Sequence, residues 1–283
     1  MRLDNGRESG NVEDRRGGGM GRGGLALGGG FGGVVLVVLA LLFGVDPSVI
    51  LSGGDPAPAP QATEGGGRAE DAGARFVARV LAETEDVWNP IFAAMGRRYE
   101  EPRLVLFSGV TQSACGMAES ATGPFYCPGD RRVYIDLDFL ARLQRSLGAP
   151  GDFAAAYVIA HEVGHHVQNQ LGVLGRVEQS RARADRAASN AMQVRVELQA
   201  DCLAGLWAAR AQRDRAILED GDIAEGLNAA AAVGDDRLQR RGQGQVVPES
   251  FTHGTSAQRV RWFKTGLQGG TVESCDTFAS GQP

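Results

Sequence analysis

Three of the chain's four histidines fall in one hexapeptide, His161-Glu162-Val163-Gly164-His165-His166, whose first five residues have the spacing H-E-x-x-H. On a helix, positions i and i+4 stack one turn apart on the same face, ~5–6 Å between Cβ atoms. Two imidazoles placed that way can chelate one metal ion through their ring nitrogens. The glutamate beside the first of them is then close enough to take a proton from a water that the ion activates. The spacing therefore implies metal-assisted hydrolysis, with His161 and His165 as ligands and Glu162 as general base.

Such a motif needs a helix to carry it, and the flanks supply one. Asp152 can cap its start and Gly172 its end. Ile159, Val163 and Val167 recur at the helical period and form a buried stripe. Zinc in a catalytic site takes three protein ligands and keeps one position open, so a third donor is required. From about Glu178 to Arg213 the chain has almost no helix breakers, and within that stretch Glu197 and Asp201 stand at i and i+4. Ala200, Ala204 and Gly205 are small enough to let this second helix approach another closely. Glu197 is the expected third ligand. Asp201 is expected to accept a hydrogen bond from the far nitrogen of a ligand histidine and orient it. Glu178 and Asp185 compete as third ligands, and Glu197 and Asp201 can exchange roles. Both acids can also belong to a solvated helix face, paired with Arg195 or Arg210.

Taken together, His161 to His165 and Glu197-x-x-Ala-Asp201 resemble the gluzincins, zinc peptidases whose third ligand is a glutamate on a following helix. The wider pattern is similar to a bacterial family of neutral zinc metallopeptidases. The stretches that carry this resemblance are Asn11–Gly17, Ser113–Gly116, Gly123–Pro128, Val133–Asp136 and Thr252–Arg259, beside the metal motif. The resemblance covers most of the chain. It implies a mostly helical α+β, zincin-like metallopeptidase domain with a small sheet, one Zn²⁺ ion and a peptide or protein substrate.

The remaining histidine, His253, precedes Thr255-Ser256-Ala257-Gln258, which fits a capping box at a helix start. In other gluzincins a similar Thr-His segment lies near the substrate oxyanion. That likeness implies that His253 donates a hydrogen bond to the oxyanion; a capping or core histidine is the other reading. His166 lies ~100° around the helix from His165 and reads as a packing or supporting residue. Residues 104–107 and 132–137 read as strands, and the second is a candidate edge for holding an extended substrate. A short helix begun by Asp138 follows it. Phe76 to Trp88 reads as an amphipathic helix ended by Asn89-Pro90.

No charged residue occurs from Gly23 to Val45. Residues 25–45 are long enough to cross the ~30 Å hydrocarbon layer and read as one transmembrane helix. Arginines precede it, at 2, 7, 15, 16 and 22, and few basic residues follow. The positive-inside rule then makes residues 1–24 a cytoplasmic segment and the rest extracytoplasmic, anchored in the inner or plasma membrane by a single pass. Residues 46–73, rich in Gly, Pro and Ala, read as a flexible tether, and residues 74–283 as the zinc metallopeptidase domain. Cys115, Cys127, Cys202 and Cys275 all follow the apolar stretch, where disulfides persist, and four cysteines allow three pairings. Cys115–Cys127 would close a loop, and Cys202–Cys275 would tie the C-terminal tail to the helix of Glu197.

A net charge of −5, with Lys264 the only lysine, gives no phosphate track and argues against nucleic acid as a partner. Two further functions remain compatible with the same ligands. One is a zinc-stabilised binding or scaffold protein without turnover. The other is a hydrolase of a non-protein amide such as a cell-wall peptide.

Overall fold

In the computed structural model, which describes residues 1–16, 71–119, 123–146, 151–279 and 281, chain order begins with β1 (Val12–Asp14) and α1 (Ala72–Ala94). There follow β2 (Arg103–Phe107), β3 (Val110–Ser113), β4 (Gly116–Glu119), β5 (Phe125–Cys127) and β6 (Arg132–Asp136). The helical part comprises α2 (Leu137–Ser146), α3 (Phe153–Gln170), α4 (Val173–Arg181), α5 (Arg186–Arg215), α6 (Asp222–Ala232), α7 (Asp235–Gln243) and α8 (Ser256–Gly269). Short 3-10 turns lie at Pro248–Ser250 and Glu273–Cys275. The architecture is a mostly helical α+β fold, as expected.

The main sheet has the order β1-β2-β6-β5, and β3 and β4 form a separate antiparallel hairpin. β1, β2 and β6 run parallel, with Leu104 beside Val133 and Leu106 beside Ile135. β5 runs antiparallel to β6, with Phe125 beside Tyr134. Side chains alternate across the sheet. Leu104, Leu106, Val133 and Ile135 enter the main core with Trp88, Phe92, Phe153 and Trp207 from the helices. Val105, Phe107, Cys127 and Tyr134 form a smaller cluster on the opposite face.

The glycines at the helix crossings set how closely the site helices approach. A Cβ on Gly164 of α3 would stand 3.0 Å from the Ala200 carbonyl oxygen of α5. At the α5–α8 crossing a Cβ on Gly205 would meet the Phe263 carbonyl oxygen at 2.1 Å, and one on Gly266 the Cys202 carbonyl oxygen at 1.9 Å. Backbones this near leave no room for any side chain, so α3, α5 and α8 pack as one unit. Both cysteine pairs considered above are present as disulfides, Cys115–Cys127 and Cys202–Cys275.

Several expectations are corrected here. α1 continues past Pro90 to Ala94, because Phe92 is fully buried in the core and that packing outweighs the lost amide donor. The stretch from Glu178 to Arg213 is two helices, separated where the Asp185 side chain caps α5. α2 is capped by Asp136, whose carboxylate accepts from the amides of Asp138 and Phe139.

The largest correction concerns the membrane helix. Among the described residues no helix is long and apolar enough to cross a membrane, and residues 25–45 lie outside them, as does most of the expected tether. The N-terminal residues are moreover part of the domain. β1 pairs with β2, Leu3 is buried, and the buried Glu85 of α1 accepts hydrogen bonds from Arg7, Ser9 and Asn11. Arg16 forms an ion pair with Asp71, the cap of α1. Residues 16 and 71 thus meet side by side. The expected membrane helix has no counterpart among the described residues, and residues 1–16 pack with the domain expected to begin at 74.

Candidate metal centre

α3 and α5 cross at Gly164 and Ala200 and turn His161, His165 and Glu197 toward one another. One ligand atom from each lies within 4.8 Å of the other two. Nε2 of His161 is 3.2 Å from Glu197 Oε2, and Nε2 of His165 is 3.7 Å from the same oxygen. The other Glu197 oxygen accepts from Gln193 Nε2 at 2.9 Å, one turn back on α5. Two imidazole nitrogens and a carboxylate oxygen, converging in a buried corner, are a donor set suited to zinc.

Each imidazole is gripped at its far nitrogen. Nδ1–H of His161 donates to Asp201 Oδ1 at 2.9 Å, and Nδ1–H of His165 to Gln168 Oε1 at 2.9 Å. Glu197 is thus the acid in the converging group that could hold a metal, and Asp201 stands behind it at the far nitrogen of His161. Of the competing acids, Asp185 caps α5, and Glu178 stands on the exposed surface of α4 at the cavity wall, outside the group of converging ligand atoms.

Behind Asp201 stands Arg259 of α8, which donates from Nε to Oδ2 at 2.8 Å and from Nη2 to Oδ1 at 2.9 Å. Arg259 Nη2 also reaches the Tyr157 hydroxyl at 3.2 Å, and that hydroxyl donates to Asp201. Burial alone would raise the Asp201 pKa; the Arg259 charge and the His161 hydrogen bond outweigh it and hold it at about 2. Burial alone would lower His161; its two carboxylate partners outweigh that and raise it to about 9. Burial pushes the Glu162 carboxyl above the usual range, against the pull of the two imidazoles.

These side chains sit in a cavity of about 640 Å³ whose walls include Phe125, Phe139, Val158 and Leu238. Glu162 and His253 both line it. The capping box at Thr255 and Gln258 is formed. The carboxylate of the buried Asp235 accepts from the backbone amides of Thr252, His253 and Gly254 and from His253 Nδ1 at 3.2 Å. Burial works to lower the His253 pKa, and Asp235 together with the Glu197 charge raises it instead.

His166 turns away from the ligands. Its Nε2–H donates to the Glu100 carbonyl at 2.6 Å, and its Nδ1 accepts from the Tyr126 hydroxyl at 3.1 Å. Burial lowers its pKa to about 4. It fastens α3 to β5. The strand expected to hold substrate, residues 132–137, is β6, which is paired on both sides; β5 is the sheet edge that lines the cavity.

The sequence pointed to the three converging donor residues but not to Tyr157, Gln168, Asp235 or Arg259. Tyr157 and Gln168 stand one turn from His161 and His165 on α3, a usable signal. Arg259 and Asp235 gave none, because a charged residue on a helix is normally solvated.

The chain matches the family model described as "Putative neutral zinc metallopeptidase" over residues 1–278. It is 49% identical to the uncharacterized protein YpfJ of Escherichia coli K12 over 285 aligned residues, covering 98% of this chain and 99% of that one. It is 47% identical over 220 residues to the uncharacterized proteins Rv2575 of Mycobacterium tuberculosis and Mb2605 of Mycobacterium bovis, covering 73% of this chain and 72% of each of those. No solved structure matches it.

Proposed function

The chain belongs to this family of neutral zinc metallopeptidases, and on that premise we propose that it hydrolyses peptide bonds with one zinc ion held by His161, His165 and Glu197. The observation that carries the reading is the convergence of three donor atoms within 4.8 Å in a cavity that Glu162 also lines. A zinc ion bound there supplies Lewis acidity, polarising the scissile carbonyl and bringing the pKa of a water toward ~7.

The chain's own residues do the rest. Glu162 takes the proton from the attacking water and passes it to the leaving amine. Its burial makes the carboxylate a stronger base near neutrality. His253, whose protonated form Asp235 favours, donates from Nε2 to the developing oxyanion. Asp201, neutralised by Arg259, holds His161 with Nε2 toward Glu197. The main chain of the substrate lies along β5, the accessible edge beside the cavity, where backbone hydrogen bonds supply affinity without sequence preference. We place the domain in an oxidising compartment, because its four cysteines form two disulfides.

The test compares purified wild type with Glu162→Gln on a mixture of unfolded proteins, reading new N-termini by mass spectrometry. Wild type is expected to generate them, and the variant to bind zinc without generating them. Equal cleavage by both refutes the assignment of Glu162.

A further inference from the structure

His165 is held from the far side by a chain of neutral amides that ends on the disulfide-linked tail. Its Nδ1–H donates to Gln168 Oε1 at 2.9 Å; Gln168 Nε2 donates to Gln199 Oε1 at 3.0 Å; Gln199 Nε2 donates to the Cys275 carbonyl oxygen at 3.1 Å. Gln168 Nε2 also donates to the Val196 carbonyl at 2.8 Å. Gln168 and Cys275 are fully buried, and Gln199 is 8% exposed. Cys275 is bonded to Cys202 of α5. Two residues further on, the Thr277 hydroxyl donates to the Arg195 carbonyl at 2.7 Å, so the tail crosses α5 at fixed register.

Every link in this chain points the same way, and the acceptors at its end impose the direction. A carboxamide can present either its oxygen or its NH2 to a neighbour, but a backbone carbonyl only accepts. The Cys275 carbonyl therefore turns the Gln199 NH2 toward itself and the Gln199 oxygen toward Gln168. The Val196 carbonyl and that oxygen together turn the Gln168 NH2 outward. The Gln168 oxygen then faces His165, where only a protonated Nδ1 satisfies it. In the neutral ring this leaves the Nε2 lone pair facing Glu197, 3.7 Å away.

We propose that Gln168 is a positioning residue for His165, and that Gln199 passes to it the hold of the tail pinned by Cys202–Cys275. The proposal rests on the reading of His165 as a metal ligand. The relay fixes the tautomer and ring angle before any metal arrives, so its removal lowers metal affinity. Reduction of the disulfide frees the far end of the relay and weakens zinc binding in the same direction.

Two readouts test it on the full chain. The first is the ¹⁵N shifts of the His165 ring in zinc-free protein, at a pH where the ring is neutral. The second is zinc affinity by chelator competition. Wild type is expected to show the Nδ1–H tautomer alone. Gln168→Leu is expected to populate Nε2–H and to lose roughly 10–100-fold in zinc affinity with unchanged far-UV dichroism. Gln199→Leu, and the joint Cys202→Ala/Cys275→Ala variant, are expected to shift both readouts the same way by less. Should Gln168→Leu fail to fold, these two carry the test. A merely structural role would lower the unfolding midpoint while leaving tautomer and affinity at wild-type values, and that result overturns the proposal. An effect of Gln168→Leu with none from the other two overturns the role of the tail. Wild type showing the Nδ1–H tautomer yet binding no zinc removes the metal reading and leaves the relay standing.

Discussion

The two imidazoles of the candidate metal centre are positioned alike and supported by opposite chemistries. Behind His161 lies a charged set, Asp201 against Arg259 with the Tyr157 hydroxyl between them. Behind His165 lies a neutral set, two glutamine amides and a backbone carbonyl. The first makes its nitrogen a stronger donor to metal by placing a carboxylate at the far side. It does so with buried charges that must stay paired. The second has no charge to strand, but each amide could turn over, so its direction depends on carbonyls anchored by α5 and by a covalent bond. Breaking the charged side should therefore cost folding stability first, and breaking the neutral side should cost ligand geometry first.

That contrast yields a graded series. Asp201→Ala leaves the Arg259 guanidinium buried without its partner, and about 3–5 kcal/mol of stability should be lost in denaturant titration, along with zinc binding. Replacing Asp201 and Arg259 together by apolar residues should recover most of that stability but not zinc affinity, which separates the two roles of the pair. His253→Ala, removing the other carboxylate-held imidazole, should lower kcat by about 10²–10³ while zinc content stays unchanged. Opening Cys202–Cys275 by the double alanine variant should cost roughly 2–4 kcal/mol through the freed unfolded chain. Smallest of all, Asp71→Asn at the half-buried cap of α1, where Arg16 pairs with it, should cost under ~1 kcal/mol. Arg16 holds the Asp71 carboxyl below its usual range, so its contribution is present above that range and lost as pH falls through the lowered value. The variant should abolish that part of the acid dependence, measured as proteolysis of residues 1–16.

The sequence exposed local relations and hid distant ones. His161, Glu162 and His165 were legible because their chemistry is written within one helical turn. Glu197 and Asp201 were legible for the same reason, as a pair on one face. Arg259 was not, because its partner lies 58 residues away and a lone arginine on a helix looks solvated. The Gln168–Gln199 contact spans 31 residues and joins two residue types that are usually exposed. Strand order was equally hidden. Both β5 and β6 have strand composition, and only the register shows that β6 is enclosed while β5 is an edge. Composition also misled on the membrane. An apolar run of the right length reads as a crossing, whereas no helix among the described residues is long and apolar enough for one.

Metal content tests the central claim most directly. Wild-type protein stripped with chelator, reloaded and freed of excess ion should hold one zinc per chain by elemental mass spectrometry, and His161→Ala, His165→Ala and Glu197→Ala should each hold almost none while remaining folded. Wild type that stays empty, or a Glu197→Ala variant that retains its full complement of zinc, would contradict the account.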